Sequence, residues 1–122
     1  MNFDLNIRQY RGVDWRHKDL SKVCFDGCII TGSRFDGCIL DGASFVNAFL
    51  PGSSFRDASL DGVCFDGSFL DGAWMDGTSL DGASFKNVCL DYTCLVRSRA
   101  NSKTIWPEGF NWKEAGVIME DD

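Results

Sequence analysis

The chain has 122 residues, which is enough for one domain. Its 18 acidic and 12 basic residues give a formal net charge of −6 and a pI near 4.6, which argues against a nucleic-acid-binding protein or one that docks on anionic membranes. A single histidine leaves few ways to build a metal site or a nucleophile–base pair.

Residues 1–22 are expected to form an N-terminal cap with degenerate first repeats. The segment carries five basic and three acidic residues, and the bulky Tyr10 and Trp15 stand at its apolar positions. It lacks the apolar core of a signal peptide, and no stretch of the chain approaches the ~18 apolar residues of a membrane span. The sequence therefore favours a cytoplasmic protein in which the six cysteines stay reduced.

Residues 23–97 are organised by a period of five. Every fifth residue over the range 5–95 is apolar, in nineteen of nineteen cases. The residue two places before each central position is small or β-branched, and the residue two places after it is glycine in ten of fourteen repeats. Aspartate directly follows the central residue in nine repeats. A period of five fits neither an α-helix nor a flat strand.

Each repeat therefore needs a large inward side chain, a small inward side chain and a corner. Glycine tolerates the positive φ of a tight corner, and an aspartate carboxylate can accept a hydrogen bond from the backbone two residues later. A chain that turns in the same sense every five residues must coil, and its stacked coils would share backbone hydrogen bonds at the ~4.8 Å strand spacing. The pattern predicts an all-β solenoid.

Three units show the repeat most clearly: Ala43-Ser44-Phe45, Ala83-Ser84-Phe85 and Val63-Cys64-Phe65-Asp66-Gly67. They resemble the pentapeptide-repeat family, and the resemblance extends over roughly residues 5–97. It implies a right-handed quadrilateral β-helix with four repeats per coil, and thus four to five coils. One difference is that the acidic residue here usually follows the central residue, whereas in the family it more often precedes it.

Four repeats per coil would stack residues that are twenty apart in the sequence. The alternation of central residues then sorts the aromatic rings onto two opposite walls, with Phe25, Phe45, Phe65 and Phe85 on one and Phe35 and Phe55 on the other. Stacked rings would fill a narrow core, in which an inward charge is costly.

Residues 98–122 are expected to form a C-terminal cap with a frayed acidic tail. Asn111 and Glu114 have the spacing of a capping box, which predicts a short α-helix starting there. Trp106, Phe110 and Trp112 would cover the last coil. The Trp-Pro-Glu-Gly-Phe stretch over 106–110 is similar to tails of cyanobacterial pentapeptide-repeat proteins.

An apolar patch is the first candidate site. The outward position before each central residue is mostly Ser or Cys, but on one wall it is Ile29, Phe49 and Phe69, with Trp74 around the next corner. The core does not need outward aromatic side chains, so these four residues are predicted to contact a protein partner or a second copy of the chain.

An acidic stripe is the second candidate. Asp41, Asp61 and Asp81 would stack without interruption along one corner. Cation binding, mimicry of nucleic-acid charge and simple repetition of corner chemistry all fit this pattern, and we favour corner chemistry. Cys24 and Cys28 have the spacing of half a zinc site, but the coil would place them on different walls, so no metal or other cofactor is expected.

These features favour a non-enzymatic scaffold that binds a protein partner of unknown identity, as a monomer or weak homodimer, with no direct binding to nucleic acid or membrane. The alternative comes from the resemblance: some pentapeptide-repeat proteins mimic duplex DNA and modulate type II topoisomerases such as gyrase. Four to five coils make a rod of only roughly 20–24 Å, or about six or seven base pairs, which is short for such mimicry.

Overall fold

The computed structural model describes residues 8–120, which form a coil whose backbone pairs with itself every twenty residues. Strand β1 (Gln9–Arg11) pairs in parallel with β2 (Ile29–Thr31), and Gln9 lies opposite Ile29. The same register continues through single bridges from Ile29 to Phe49, from Phe49 to Phe69 and onward. The predicted β-solenoid with four repeats per coil is confirmed.

Four columns of bridged residues define the walls of the coil. Their outward residues are Gln9, Ile29, Phe49, Phe69 and Cys89 on wall 1; Asp14, Arg34, Ser54, Trp74 and Cys94 on wall 2; Asp19, Ile39, Ser59, Ser79, Arg99 and Ile118 on wall 3; and Cys24, Ser44, Cys64, Ser84 and Ile105 on wall 4. On wall 3, β3 (Arg99–Ala100) pairs in parallel with β4 (Ile118–Met119). The strands are short because each wall is interrupted by a corner after a few residues.

The corners are tight turns with a left-handed residue at every fifth position. From Gly12 to Arg97 these residues have φ between 56° and 73°. At most corners the carbonyl of the central residue accepts a hydrogen bond from the N–H of the residue three places later, as between Phe25 and Cys28 at 3.0 Å. A positive φ at only the third residue is the geometry of a type II turn, which explains the preference for glycine there.

The core contains two stacks of aromatic rings on opposite walls, and buried Leu and Ile side chains fill it from the other two walls. On wall 4, Phe45 and Phe65 stack with ring centroids 5.1 Å apart, and on wall 2, Phe35 and Phe55 stack at 4.8 Å. Rings of the two stacks meet edge to face across the core, as Phe55 and Phe65 do at 5.7 Å. These geometries are favourable for aromatic pairs, and the predicted aromatic walls are confirmed.

The C-terminal segment continues the coil instead of only covering it. Ile105 pairs with Ser84, so the register shifts by one residue here. Trp106 then stacks on Phe85 at 5.3 Å with nearly parallel rings, and Phe110 stacks on Trp106 at 5.2 Å. The aromatic stack of wall 4 therefore runs on after the five-residue period has ended.

The predicted C-terminal helix is wrong, and the chain there forms turns. The Asn111 side chain does accept a hydrogen bond from the Glu114 N–H at 3.2 Å, as the capping-box spacing suggested. One turn follows, closed from Ala115 N–H to the Asn111 carbonyl at 3.3 Å, and Gly116 at φ 84° then ends it. Pairing of β4 with β3 draws the next residues into an extended conformation, so residues 8–120 contain no α-helix.

The ends of the chain are described only in part. Residues 1–7 of the expected N-terminal cap, and Asp121 and Asp122 of the expected frayed tail, lie outside the described residues. The described part of the N-terminal segment pairs with the next coil, for example from Asp19 to Ile39. Within the described range no helix is long and apolar enough to cross a membrane.

Phe65→Asp should unfold the protein, because Phe65 is fully buried between Phe45 and Phe85 and an inward carboxylate has no partner there. Loss of a buried Phe alone costs about 3–5 kcal/mol, and burial of a charge adds to that, against a typical total stability of about 5–15 kcal/mol. Thermal unfolding followed by circular dichroism measures the effect.

Phe69→Asp is the matched control, because the same substitution four residues later places the carboxylate on the outside of wall 1. The control should keep a cooperative unfolding transition near that of the unsubstituted protein. A cooperative and unshifted transition for Phe65→Asp would contradict the packing described here.

Candidate functional site

The predicted apolar patch lies mainly on wall 1. Phe49 and Phe69 are bridged neighbours in the wall 1 column, and their rings stack on the outside with centroids 5.1 Å apart. Each of these two residues is 42% exposed, whereas Ile29 in the preceding coil is half-buried. The coil thus brings three of the four predicted contact residues into one line.

Trp74 lies on wall 2, across one corner from Phe69. It is 45% exposed, and the Arg56 guanidinium sits 4.3 Å from the centroid of its ring. Arg56 also donates a hydrogen bond from Nε to Asp76 Oδ1 at 3.2 Å. A cation over the ring and an ion pair behind it hold the indole in place, so Trp74 extends the apolar surface around the corner.

The predicted acidic stripe has a structural role that its spacing alone did not show. Asp41 Oδ1 accepts hydrogen bonds from Ser59 Oγ at 2.6 Å and from the Asp61 N–H at 3.2 Å. Asp61 Oδ1 does the same with Ser79 Oγ at 2.6 Å and the Asp81 N–H at 3.0 Å. Each carboxylate therefore ties its own coil to the next one instead of bonding within its own turn.

The same inter-coil clamp occurs at the corner between walls 4 and 1. Asp26 Oδ1 accepts from Ser44 Oγ at 2.5 Å and from the Val46 N–H at 2.8 Å, and Asp66 accepts from Ser84 Oγ at 2.5 Å. In the sequence, this clamp corresponds to a serine that lies eighteen residues after an aspartate. Partial burial acts to raise the pKa of Asp26, but hydrogen bonds from Ser44, Val46 and Cys24 and the charge of Arg8 together outweigh it and hold that pKa below its ordinary value.

The two candidate surfaces face different directions. Asp41 and Asp61 lie at the corner between walls 3 and 4, whereas Phe49 and Phe69 lie on wall 1, which that corner does not border. A single flat partner surface cannot contact both. The apolar patch is instead bordered by other carboxylates, Asp66 at one corner of wall 1 and Asp71 at the other.

The cysteines and the histidine are not grouped as a metal site in the described structure. All six thiols are free, and burial raises the pKa of Cys28 and Cys38. His17 occupies a left-handed corner, and its imidazole lies over Gly37 of the next coil. Over residues 8–120, no three His, Cys, Asp or Glu side chains are grouped so that they could hold a metal ion.

A cavity near the C-terminal end of wall 1 was not anticipated from the sequence. It has a volume of about 230 Å³ and lies between residues 88–91 and residues 107–110. Its lining includes the acidic residues Asp91 and Glu108 and the apolar residues Leu90 and Phe110. Half of it is built by residues beyond the five-residue period, so repeat analysis gave no signal for it.

Comparison with known proteins supports one repeat family. The family description "Pentapeptide repeats" matches eight copies over residues 33–72 and 70–99 of the chain. None of the curated proteins matches the chain in sequence.

Two solved structures are similar in fold. HetL, a pentapeptide repeat protein involved in heterocyst differentiation regulation from the cyanobacterium Nostoc sp. strain PCC 7120, superposes with a TM-score of 0.74 at 18% identity. That match covers 79% of this chain and 42% of HetL, so the chain spans less than half of that protein. QnrB1, a plasmid-mediated fluoroquinolone resistance protein, superposes with a TM-score of 0.59 at 12% identity. That match covers 98% of this chain and 86% of the QnrB1 chain.

Ser44→Ala should raise the pKa of Asp26 toward its ordinary value of 3.8, because the hydrogen bond that lowers this pKa most is lost. A carboxyl group with a lowered pKa in the folded state stabilises the fold above the unfolded-state value, and that stabilisation is lost as the pH falls through the folded-state value. The melting temperatures of Ser44→Ala and the unsubstituted protein should therefore differ at neutral pH and converge on acidification below about pH 4.

Carbon-13 NMR titration of the Asp26 carboxyl measures this pKa directly. Ser79→Ala removes the equivalent donor from Asp61 and should leave the Asp26 titration unchanged. If Asp26 titrates at the same pH in Ser44→Ala and in the unsubstituted protein, the clamp does not determine its pKa.

Proposed function

Because the chain belongs to the pentapeptide-repeat family, we propose that it is a non-enzymatic scaffold that presents a rigid wall to a protein partner. Members of this family are generally structural or interaction proteins, and their fold is a right-handed quadrilateral β-helix. Ile29, Phe49, Phe69 and Trp74 are the proposed contact residues.

The stacked and exposed pair Phe49 and Phe69 is the observation that supports this proposal most. The outward positions of the coil otherwise carry mainly small or polar side chains, and the core is already filled by inward rings. Burial of apolar surface is worth roughly 25 cal/mol per Å², so two adjacent rings on a polar surface favour association. Aromatic residues are also enriched among the residues that dominate protein interfaces.

The rigidity of the wall supports the same proposal. Phe49 and Phe69 are held in adjacent coils by backbone hydrogen bonds, such as that from the Leu50 N–H to the Phe69 carbonyl at 2.9 Å. A partner that docks on such a surface does not have to order it first, and less binding energy is lost to conformational entropy.

The remaining parts of the proposal follow mainly from the charge of the chain. Residues 23–92 carry ten acidic and three basic side chains, which disfavours direct contact with nucleic acid or an anionic membrane. Over the described residues we find no metal-binding group. We propose that the protein acts in the cytoplasm as a monomer or weak homodimer.

A second candidate function is modulation of a type II topoisomerase through mimicry of DNA charge. The acidic side chains of residues 23–92 are only partly neutralised, since two of the three bases there, Arg34 and Arg56, each pair with one aspartate. The structural similarity to QnrB1 is a similarity of fold. The short rod is the argument against this function, and we place it second.

Phe49→Asp combined with Phe69→Asp should abolish capture of the protein partner, because two carboxylates then replace the apolar contact. Affinity purification of tagged protein from the native host, followed by mass spectrometry, measures the partners retained. Ile39→Asp combined with Val96→Asp is the matched control, since it replaces two exposed apolar residues away from wall 1. Equal partner recovery and equal mass in solution for both variants would show that the patch is inert.

Addition of the protein at micromolar concentration should leave the supercoiling activity of DNA gyrase unchanged, because scaffold binding on wall 1 does not involve mimicry of DNA. A gyrase supercoiling assay on relaxed plasmid measures this, with heat-denatured protein as the control. Inhibition or protection of gyrase that depends on the folded protein would instead favour the second function.

A further inference from the structure

The cavity near the C-terminus continues the apolar column of wall 1. Cys89, which lines the cavity, is the bridged neighbour of Phe69, just as Phe69 is the bridged neighbour of Phe49. Neighbouring strands lie about 4.8 Å apart, so Phe69 lies one coil below Cys89 and next to the start of the cavity. A single elongated surface therefore runs from Phe49 through Phe69 to the cavity.

The two parts of this surface differ in charge. The column is apolar, whereas the cavity has the carboxylates of Asp91 and Glu108 in its lining and no basic side chain among its lining residues. Neither carboxylate takes part in an ion pair within residues 8–120, and both side chains are exposed. The negative charge of the cavity is available to a cation from outside.

The size of the cavity limits what can enter it. Sites for drug-sized ligands usually have volumes of about 300–1,000 Å³, and this cavity has about 230 Å³. A lining that combines the apolar Leu90 and Phe110 with the acidic Asp91 and Glu108 suits the long aliphatic stem and charged end of a lysine or arginine. The shape thus fits one long basic side chain better than a whole metabolite.

From these observations we infer that the wall binds a segment of a partner protein in which an arginine or lysine lies next to apolar residues. The basic side chain enters the cavity and pairs with Asp91 and Glu108, and the apolar side chains pack on Phe69 and Phe49. The inference rests on the proposed scaffold function and adds the chemistry of the partner. The charge of residues 23–92 attracts such a segment from solution.

Selection of a phage-displayed library of random peptides against the full chain tests the inference. The enriched peptides should share an arginine or lysine beside apolar residues. A synthetic peptide of the enriched sequence should bind the double variant Asp91→Asn with Glu108→Gln more weakly than the unsubstituted protein, by roughly two- to fivefold for each of the two carboxylates removed. Its affinity for the unsubstituted protein should fall as salt is added. Phe69→Asp should also weaken binding of the same peptide.

The matched control is Asp57→Asn combined with Glu114→Gln, which removes the same charge at exposed positions outside the cavity. Unchanged binding to this control supports the inference, and thermal unfolding verifies that both double variants are folded. Equal weakening in the two double variants would show an effect of overall charge and would overturn it.

Two further outcomes also overturn the inference. One is enrichment of peptides that have no basic residue, or no enrichment at all. The other is self-association in sedimentation that Asp91→Asn with Glu108→Gln abolishes, because a second copy of the chain is then the occupant. The scaffold proposal is tested separately. If Phe49→Asp with Phe69→Asp abolishes capture of a partner from the native host, that result supports the scaffold function whatever the peptide library shows.

Discussion

The left-handed residue at every fifth position is the constraint on which the rest of the structure depends. Because φ is positive at each corner from Gly12 to Arg97, the chain turns through a quarter of its circuit every five residues, and residues twenty apart come into register. Backbone pairing, aromatic stacks and aspartate–serine clamps are consequences of that register. Glycine supplies most of the corners, and Asn47, Asp57 and Asn87 supply others because their side chains tolerate this conformation better than most.

The parts of the fold that repeat were predictable from the sequence, and those that depend on tertiary pairing were not. The period placed Phe45 and Phe65 in one inward stack, as found. The spacing of Asn111 and Glu114 predicted a local hydrogen bond correctly but a helix wrongly, because β4 pairs with β3 and ends the turn. Helix propensity is a property of the local segment, whereas the extended conformation of β4 depends on its pairing with the coil beneath it.

The candidate sites divide in the same way. Alternation of inward and outward residues placed Ile29, Phe49 and Phe69 on one wall, because outward direction follows directly from the period. The role of Asp41 was missed, since its hydrogen bond to Ser59 joins different coils and is visible only once the twenty-residue register is known. The cavity was missed because residues 107–110 follow no repeat.

The twenty-residue register also restricts how the gene can change. Insertion or deletion of one five-residue repeat between Phe49 and Phe69 would keep every corner intact but rotate all later residues by one wall, which would take Phe69 away from Phe49. A whole added coil would only lengthen the axis, and the two rings would stay on the same wall. If both rings are to stay on wall 1, the chain between them can therefore change length only in steps of four repeats, although the fold permits steps of one.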